Sequence, residues 1–261
     1  MHVAYQEAMN NQLLTKIRDA GLAAFLVASA SASYAATVRV TFDSWIFNGS
    51  GYDVVQIVFP NQSPGGAPIR ENVAAGRFQG TGSNVVGVSD KIFVDGLNDL
   101  YMYCYDVYEN INHGSVVDYT INFSGELERT RDFLGAVNSI MNAGKANADP
   151  YAWLHPVNGE QGAAIQLGIW ESKYELAGWD LNGGSFRASG LEAATAGYWN
   201  AFRAAIDSTD ALADIQVITL EATGAQDMIT ADPPQPVPEP GSLALLGAAM
   251  AALAWNRRNR R

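Results

Sequence analysis

Two segments of this 261-residue chain hold residue types able to do covalent chemistry. Cys104, in Tyr103-Cys104-Tyr105-Asp106, is the only cysteine. As a thiolate it is a nucleophile and a metal ligand. With no second cysteine it forms no internal disulfide. In an exported chain, an unpaired thiol is buried and inert, pairs between chains, or is consumed in another bond. The second segment, Gln161 to Glu171, reads Gln-Gly-Ala-Ala-Ile-Gln-Leu-Gly-Ile-Trp-Glu. At helical spacing, Ala163, Gln166, Ile169, Trp170 and Lys173 share one side. Gln166 therefore belongs to an apolar stripe that should be buried. A buried carboxamide without partners costs a few kcal/mol.

Other chemistry-bearing residues form no such arrangement. His2, His113 and His155 are scattered, and no pair has metal-ligand spacing. Asp95, Asn98 and Asp99 are oxygen donors, but they lack an EF-hand register and read better as a turn. No nucleophile elbow, Walker loop or dinucleotide fingerprint is present. The sequence predicts no metal, no cofactor and no turnover enzyme.

The elements that must position Cys104 and Gln166 follow from periodicity. Thr37 to Phe47, Val54 to Phe59, Val85 to Val94, Leu100 to Tyr108, Val116 to Phe123 and Ile215 to Leu220 read as strands. Alternation puts Tyr101, Tyr103 and Tyr105 on one face and Met102, Cys104 and Asp106 on the other. Pro60 to Pro68 is a loop. Three helices are expected: Leu127 to Met141 with Gly144 as its stop, Glu160 to Leu176, and Leu191 to Ile206. In the last, Ala194, Tyr198, Trp199, Phe202 and Ile206 are in register. Strands followed by a helical block predict an α+β fold.

The two segments together resemble the paired motifs of internal thioester domains, covalent-adhesion modules of bacterial surface proteins. Tyr103-Cys104-Tyr105 matches the first motif, and Ile165-Gln166-Leu167-Gly168-Ile169-Trp170 the second. Tyr105 is bulkier than the usual residue after Cys, and Gly168 is an unusual spacer within a helix. The resemblance covers roughly residues 37 to 230. It implies a β-sandwich or barrel-like sheet with an inserted helical block. It also implies a Cys104–Gln166 thioester, flanked by Tyr103, Tyr105, Ile169 and Trp170, that an amine on a partner molecule opens. The aromatic flanks would keep water away. Two rivals stand beside this reading: a non-covalent binding or structural module of an exopolysaccharide matrix with Cys104 merely buried, and a secreted hydrolase.

The ends of the chain speak to destination. Lys16 and Arg18, the apolar run Ala20 to Ala32, and Ser33-Tyr34-Ala35 form an export signal over residues 1–35, with Met9 an alternative start. Residues 36–230 form the body. Residues 231–240 are a linker with five prolines, an extended spacer. Residues 241–261 hold an uncharged apolar run to Trp255 and four arginines. That run spans about 22 Å as a helix, short against a hydrocarbon core of about 30 Å. Val237-Pro238-Glu239-Pro240, the run and the arginines resemble the PEP-CTERM sorting signal of Gram-negative bacteria. The resemblance implies an exosortase partner, membrane insertion before processing, and a surface or biofilm-matrix destination. Between signal and run the chain has 10 basic and 25 acidic residues, a balance that repels nucleic acid and anionic lipid.

Overall fold

The computed structural model describes residues 35–123, 128–212 and 217–231. The expected export signal, proline linker, Val237 to Pro240 and expected sorting helix lie outside the described residues, apart from Ala35 and Ala231. Among the described residues no helix is long and apolar enough to cross a membrane.

Six strands close into an antiparallel barrel: β1 (Thr37–Phe42), β4 (Phe78–Val86), β5 (Leu100–Cys104), β9 (Met228–Thr230), β8 (Ile218–Glu221) and β6 (Val116–Asn122), in that spatial order. A second sheet runs β3 (Ile69–Gly76), β2 (Tyr52–Phe59), β7 (Arg187–Ser189). Three helices, α1 (Glu128–Asn142), α2 (Gly159–Tyr174) and α3 (Ala193–Ala205), fall between β6 and β8. The expected barrel-like sheet with an inserted helical block is therefore the architecture found.

The barrel interior follows from strand alternation. In β1, Val38, Val40 and Phe42 are buried while Arg39 and Thr41 are exposed. Cross-strand partners continue this apolar lining through Leu100, Met102 and Cys104 of β5, Met228, Leu220, and Ile121 and Tyr119 of β6.

The expected strand Val85 to Val94 is corrected. β4 begins earlier and ends at Val86, after which the chain turns through Gly87 (φ 78°) into a short 3-10 turn at Asp90–Ile92. Most of β4 gave no strand signal, for a physical reason. Gly80 and Gly82 sit opposite Phe42 and Val40 in the ladder. A Cβ at Gly80 would lie 2.8 Å from the Thr41 carbonyl oxygen and 3.1 Å from Val40 Cγ1. The glycines leave room for the large side chains filling the barrel. The strand expected over Thr37 to Phe47 stops at Phe42, and β5 stops at Cys104 rather than Tyr108.

The expected single buried stripe on the second helix is also corrected. Every residue of α2 from Gln161 to Ser172 is buried, because α2 packs on β2 and β3 on one side and on α1 and α3 on others. Gly168 is explained by this crowding: a Cβ there would lie 1.9 Å from Cζ of Phe133 on α1. The helix starts where the Asn158 side chain accepts the Gln161 N–H at 2.9 Å, an N-cap. On α3, Ala194 proves exposed. Thr195 is buried instead and donates to the Asp53 carboxylate of β2 at 2.7 Å.

Candidate functional site

The site is built on the end of β5. Cys104 shares its inward face with Met102, and its side chain reaches the barrel interior. Tyr103 points the other way, stacked on Trp153, with its hydroxyl donating to the Trp153 carbonyl at 3.1 Å. The alternation expected from sequence is thus observed. Both faces are nevertheless buried, since the helical block covers the outer one.

In the plane of the sheet, one edge of β5 is taken by β9 through Tyr103↔Ile229 and Cys104↔Met228. The other edge pairs with β4 only from Leu100 to Met102. Beyond that point α2 takes over. The Gln166 carboxamide accepts the Cys104 main-chain N–H at 2.8 Å and donates through Nε2 to the Cys104 carbonyl at 2.7 Å. One turn later, Trp170 Nε1 donates to the Asp106 carbonyl at 2.9 Å. Gln166 and Trp170 thus satisfy backbone groups that a neighbouring strand would otherwise bond. The burial cost of the carboxamide, anticipated from sequence, is met at both of its polar atoms by the residue it was paired with.

The electrostatics around Cys104 favour neutrality. Burial, then the nearby Asp106 charge, pushes the thiol well above its ordinary value. Burial likewise raises Asp106, whose Oδ2 accepts the Asp227 N–H at 2.9 Å. Gln226 Nε2 adds a bond to the Asp106 carbonyl at 2.9 Å. Tyr105 carries the Lys173 ammonium 3.8 Å above its ring. Burial lowers the Lys173 value against the pull of Asp106 and Asp227. Ile169 is fully buried. Tyr103 and Tyr105 flank Cys104 in the chain, and Trp170 bonds the main chain two residues beyond it.

Cys104, at the end of the barrel, also lines a cavity of about 520 Å³. Phe78, Val107 and Trp170 are among its apolar lining residues, together with residues 71–74 of β3. Glu71 and Glu109 are its charged groups. Sequence reasoning missed the β3 residues, Glu109 and Gln226; only the placement of Asp106 on the face of Cys104 was readable from alternation.

The remaining candidates have structural uses. Asp95 accepts from or pairs with His155 Nε2 at 3.1 Å, and Asp149 with Nδ1 at 3.1 Å, which raises the imidazole's pKa. Asp99 accepts from Gln79 at 2.9 Å. Among the described residues no group of three or more His, Cys, Asp or Glu is arranged to hold a metal.

Residues 236–258 match the model of the PEP-CTERM protein-sorting motif. That motif marks an exosortase substrate, an exported protein associated with the envelope of a Gram-negative bacterium. No curated protein and no solved structure matches the chain.

Proposed function

We propose that this exosortase-sorted protein attaches covalently to an amine-bearing surface or matrix molecule through a thioester between Cys104 and Gln166. The observation that supports this most is the direct contact of the Gln166 carboxamide with the Cys104 main chain, across 62 residues of sequence, beside a cavity that Cys104 lines.

The chemistry balances without a cofactor. The Cys104 Sγ attacks Gln166 Cδ, the S–C bond forms, the C–N bond breaks, and ammonia leaves carrying the thiol proton. The Cys104 N–H already donates to Gln166 Oε1, the atom on which negative charge develops in the tetrahedral intermediate. Loss of Nε2 gives up only the bond to the Cys104 carbonyl. For sulfur to reach Cδ, the carboxamide must turn out of the strand plane. The contact holds the partners close, which raises their effective concentration. An incoming amine then attacks Cδ, leaving an amide on Gln166 and returning a proton to the Cys104 sulfur. The protein is consumed once, so it does not turn over.

A second reading rests on the same bonds. Gln166 with both amide atoms satisfied is also what a structural latch between helix and barrel requires, and then the body is a non-covalent matrix module. Intact-mass measurement separates the two. The covalent reading expects the fresh protein one ammonia lighter than its sequence, Cys104 resistant to alkylation, and a single methylamine adduct at Gln166. Full sequence mass with an unmodified Gln166 by peptide mapping removes the covalent reading.

A further inference from the structure

We propose that the cavity beside Cys104 receives an extended polypeptide segment that adds to the outer edge of β3 and carries a lysine side chain into the cavity. This rests on the covalent reading only in that lysine would supply the amine; the docking step stands on the groove itself.

β3 is the outer strand of its sheet, paired with β2 over the full register from Tyr52↔Gly76 to Phe59↔Ile69. Among the described residues no strand adds to its other side, and no main-chain bond from residues 69–75 goes elsewhere. An exposed edge of this kind is a template for an incoming strand.

That edge borders the cavity. Glu71, Asn72, Val73 and Ala74 all line the cavity. Successive side chains of a strand alternate faces. A cavity touching four consecutive residues therefore runs along the rim of the strand. Cys104 and the segment after β5, with Val107, Glu109 and Ile111, line the same cavity. The volume, about 520 Å³, falls within the range of ligand sites, about 300–1,000 Å³.

Charge selects the occupant. Glu71 stands opposite Ile57 of β2, on the sheet face that turns toward α2. Glu109, in the segment after β5, lines the same cavity. Among the described residues no lysine or arginine lines the cavity and neither acid forms an ion pair, Glu109 acting on Lys173 only electrostatically. Ile57, Val73 and Trp170 offer apolar contact to a methylene stem, while the acids receive its ammonium. A lysine side chain has both parts.

The test uses the full-length protein with Cys104→Ala, which blocks any covalent step and leaves the Gln166 bonds to the main chain. The probe is a blocked peptide of alternating Val and Thr with one central Lys. Binding is expected to be saturable and to slow amide hydrogen exchange over residues 69–76. Replacing the peptide lysine by norleucine, methylating alternate peptide nitrogens, or introducing Glu71→Gln with Glu109→Gln should each weaken binding roughly tenfold. Absence of binding, binding that leaves β3 exchange unchanged, or indifference to N-methylation overturns the proposal. So does concentration-dependent self-association that slows β3 exchange without peptide, which would make a second copy the occupant. Methylamine labelling of the wild type runs in parallel. An adduct without peptide docking removes the groove and leaves the covalent reading. Docking without an adduct does the reverse.

Discussion

Gln166 and Glu171 lie on the same helix, five residues apart, and both are completely buried. They have met opposite fates. Gln166 has a main-chain partner for each amide atom. Glu171 accepts the Asp180 N–H through Oε1 at 2.8 Å, and its Oε2 has no partner. Burial pushes that carboxyl up to about 7, with the Glu175 charge adding to the rise and Arg129 opposing it. The contrast teaches that a buried polar group is stable when a fixed main chain supplies partners, and a liability when only part of its bonding capacity is met.

Breaking the satisfied member should have the largest effect. Gln166→Ala orphans a buried N–H and a buried carbonyl and leaves a void, for a loss of about 3–5 kcal/mol in urea unfolding. Cys104→Ala removes only the side chain, and its main-chain bonds remain, so about 1–2 kcal/mol is expected. From sequence alone the two substitutions look equivalent. The structure separates them and makes Cys104→Ala the cleaner control. Equal losses would mean that Gln166 does not hold the β5 edge.

Relieving the strained member should act with the opposite sign. The folded pKa of Glu171 is raised from 4.5 to about 7, so the folded state binds the extra proton between those values. Stability is therefore full below pH 4.5 and falls as pH rises toward 7. Glu171→Gln should leave stability unchanged at pH 4 and raise it by up to about 3 kcal/mol at pH 8. A variant with the same pH slope as the wild type would show that this carboxyl ionises as readily in the folded as in the unfolded chain, its charge met by a partner.

The next test asks whether packing, rather than polar bonds, places both residues. Gly168→Ala gains about 1 kcal/mol of helix propensity but drives a Cβ into the Phe133 ring. A net loss of about 1–3 kcal/mol by thermal unfolding is expected.

The smallest effect lies at His155, a half-exposed analogue of the satisfied pair. Its partners Asp95 and Asp149 raise its pKa above 6.5, so its contribution is complete below pH 6.5 and fades as pH rises through the folded value. His155→Gln should erase that small slope and nothing else.

Much of this was legible in the sequence, and the parts that were not share a cause. The shared face of Met102 and Cys104 followed from alternation, and the three helices from their period. The contact between Cys104 and Gln166 followed from motif order. The strands β3, β4, β7 and β9 were missed. In β4, glycines stand where neighbours fill the barrel, so the apolar signal belongs to Phe42 and Val40 instead. β7 and β9 are only three residues each, too short for a period to register. The full burial of α2 erased the one-sided stripe that sequence reasoning sought. The cavity combines β3 with the segment after β5, and no local pattern reports a meeting of segments so far apart.

The order of strands also sets a schedule. β5 finds one barrel neighbour at once in β4, but its other neighbour, β9, is more than a hundred residues further along the chain. Every helix among the described residues is made before that partner exists. A chain emerging from its N-terminus must hold a half-built barrel, with its interior uncovered, until residues 218–230 arrive. Long-range closure of this kind is slow. Folding of the body is thus timed by the arrival of its final strands, just ahead of the linker that leads to the sorting signal.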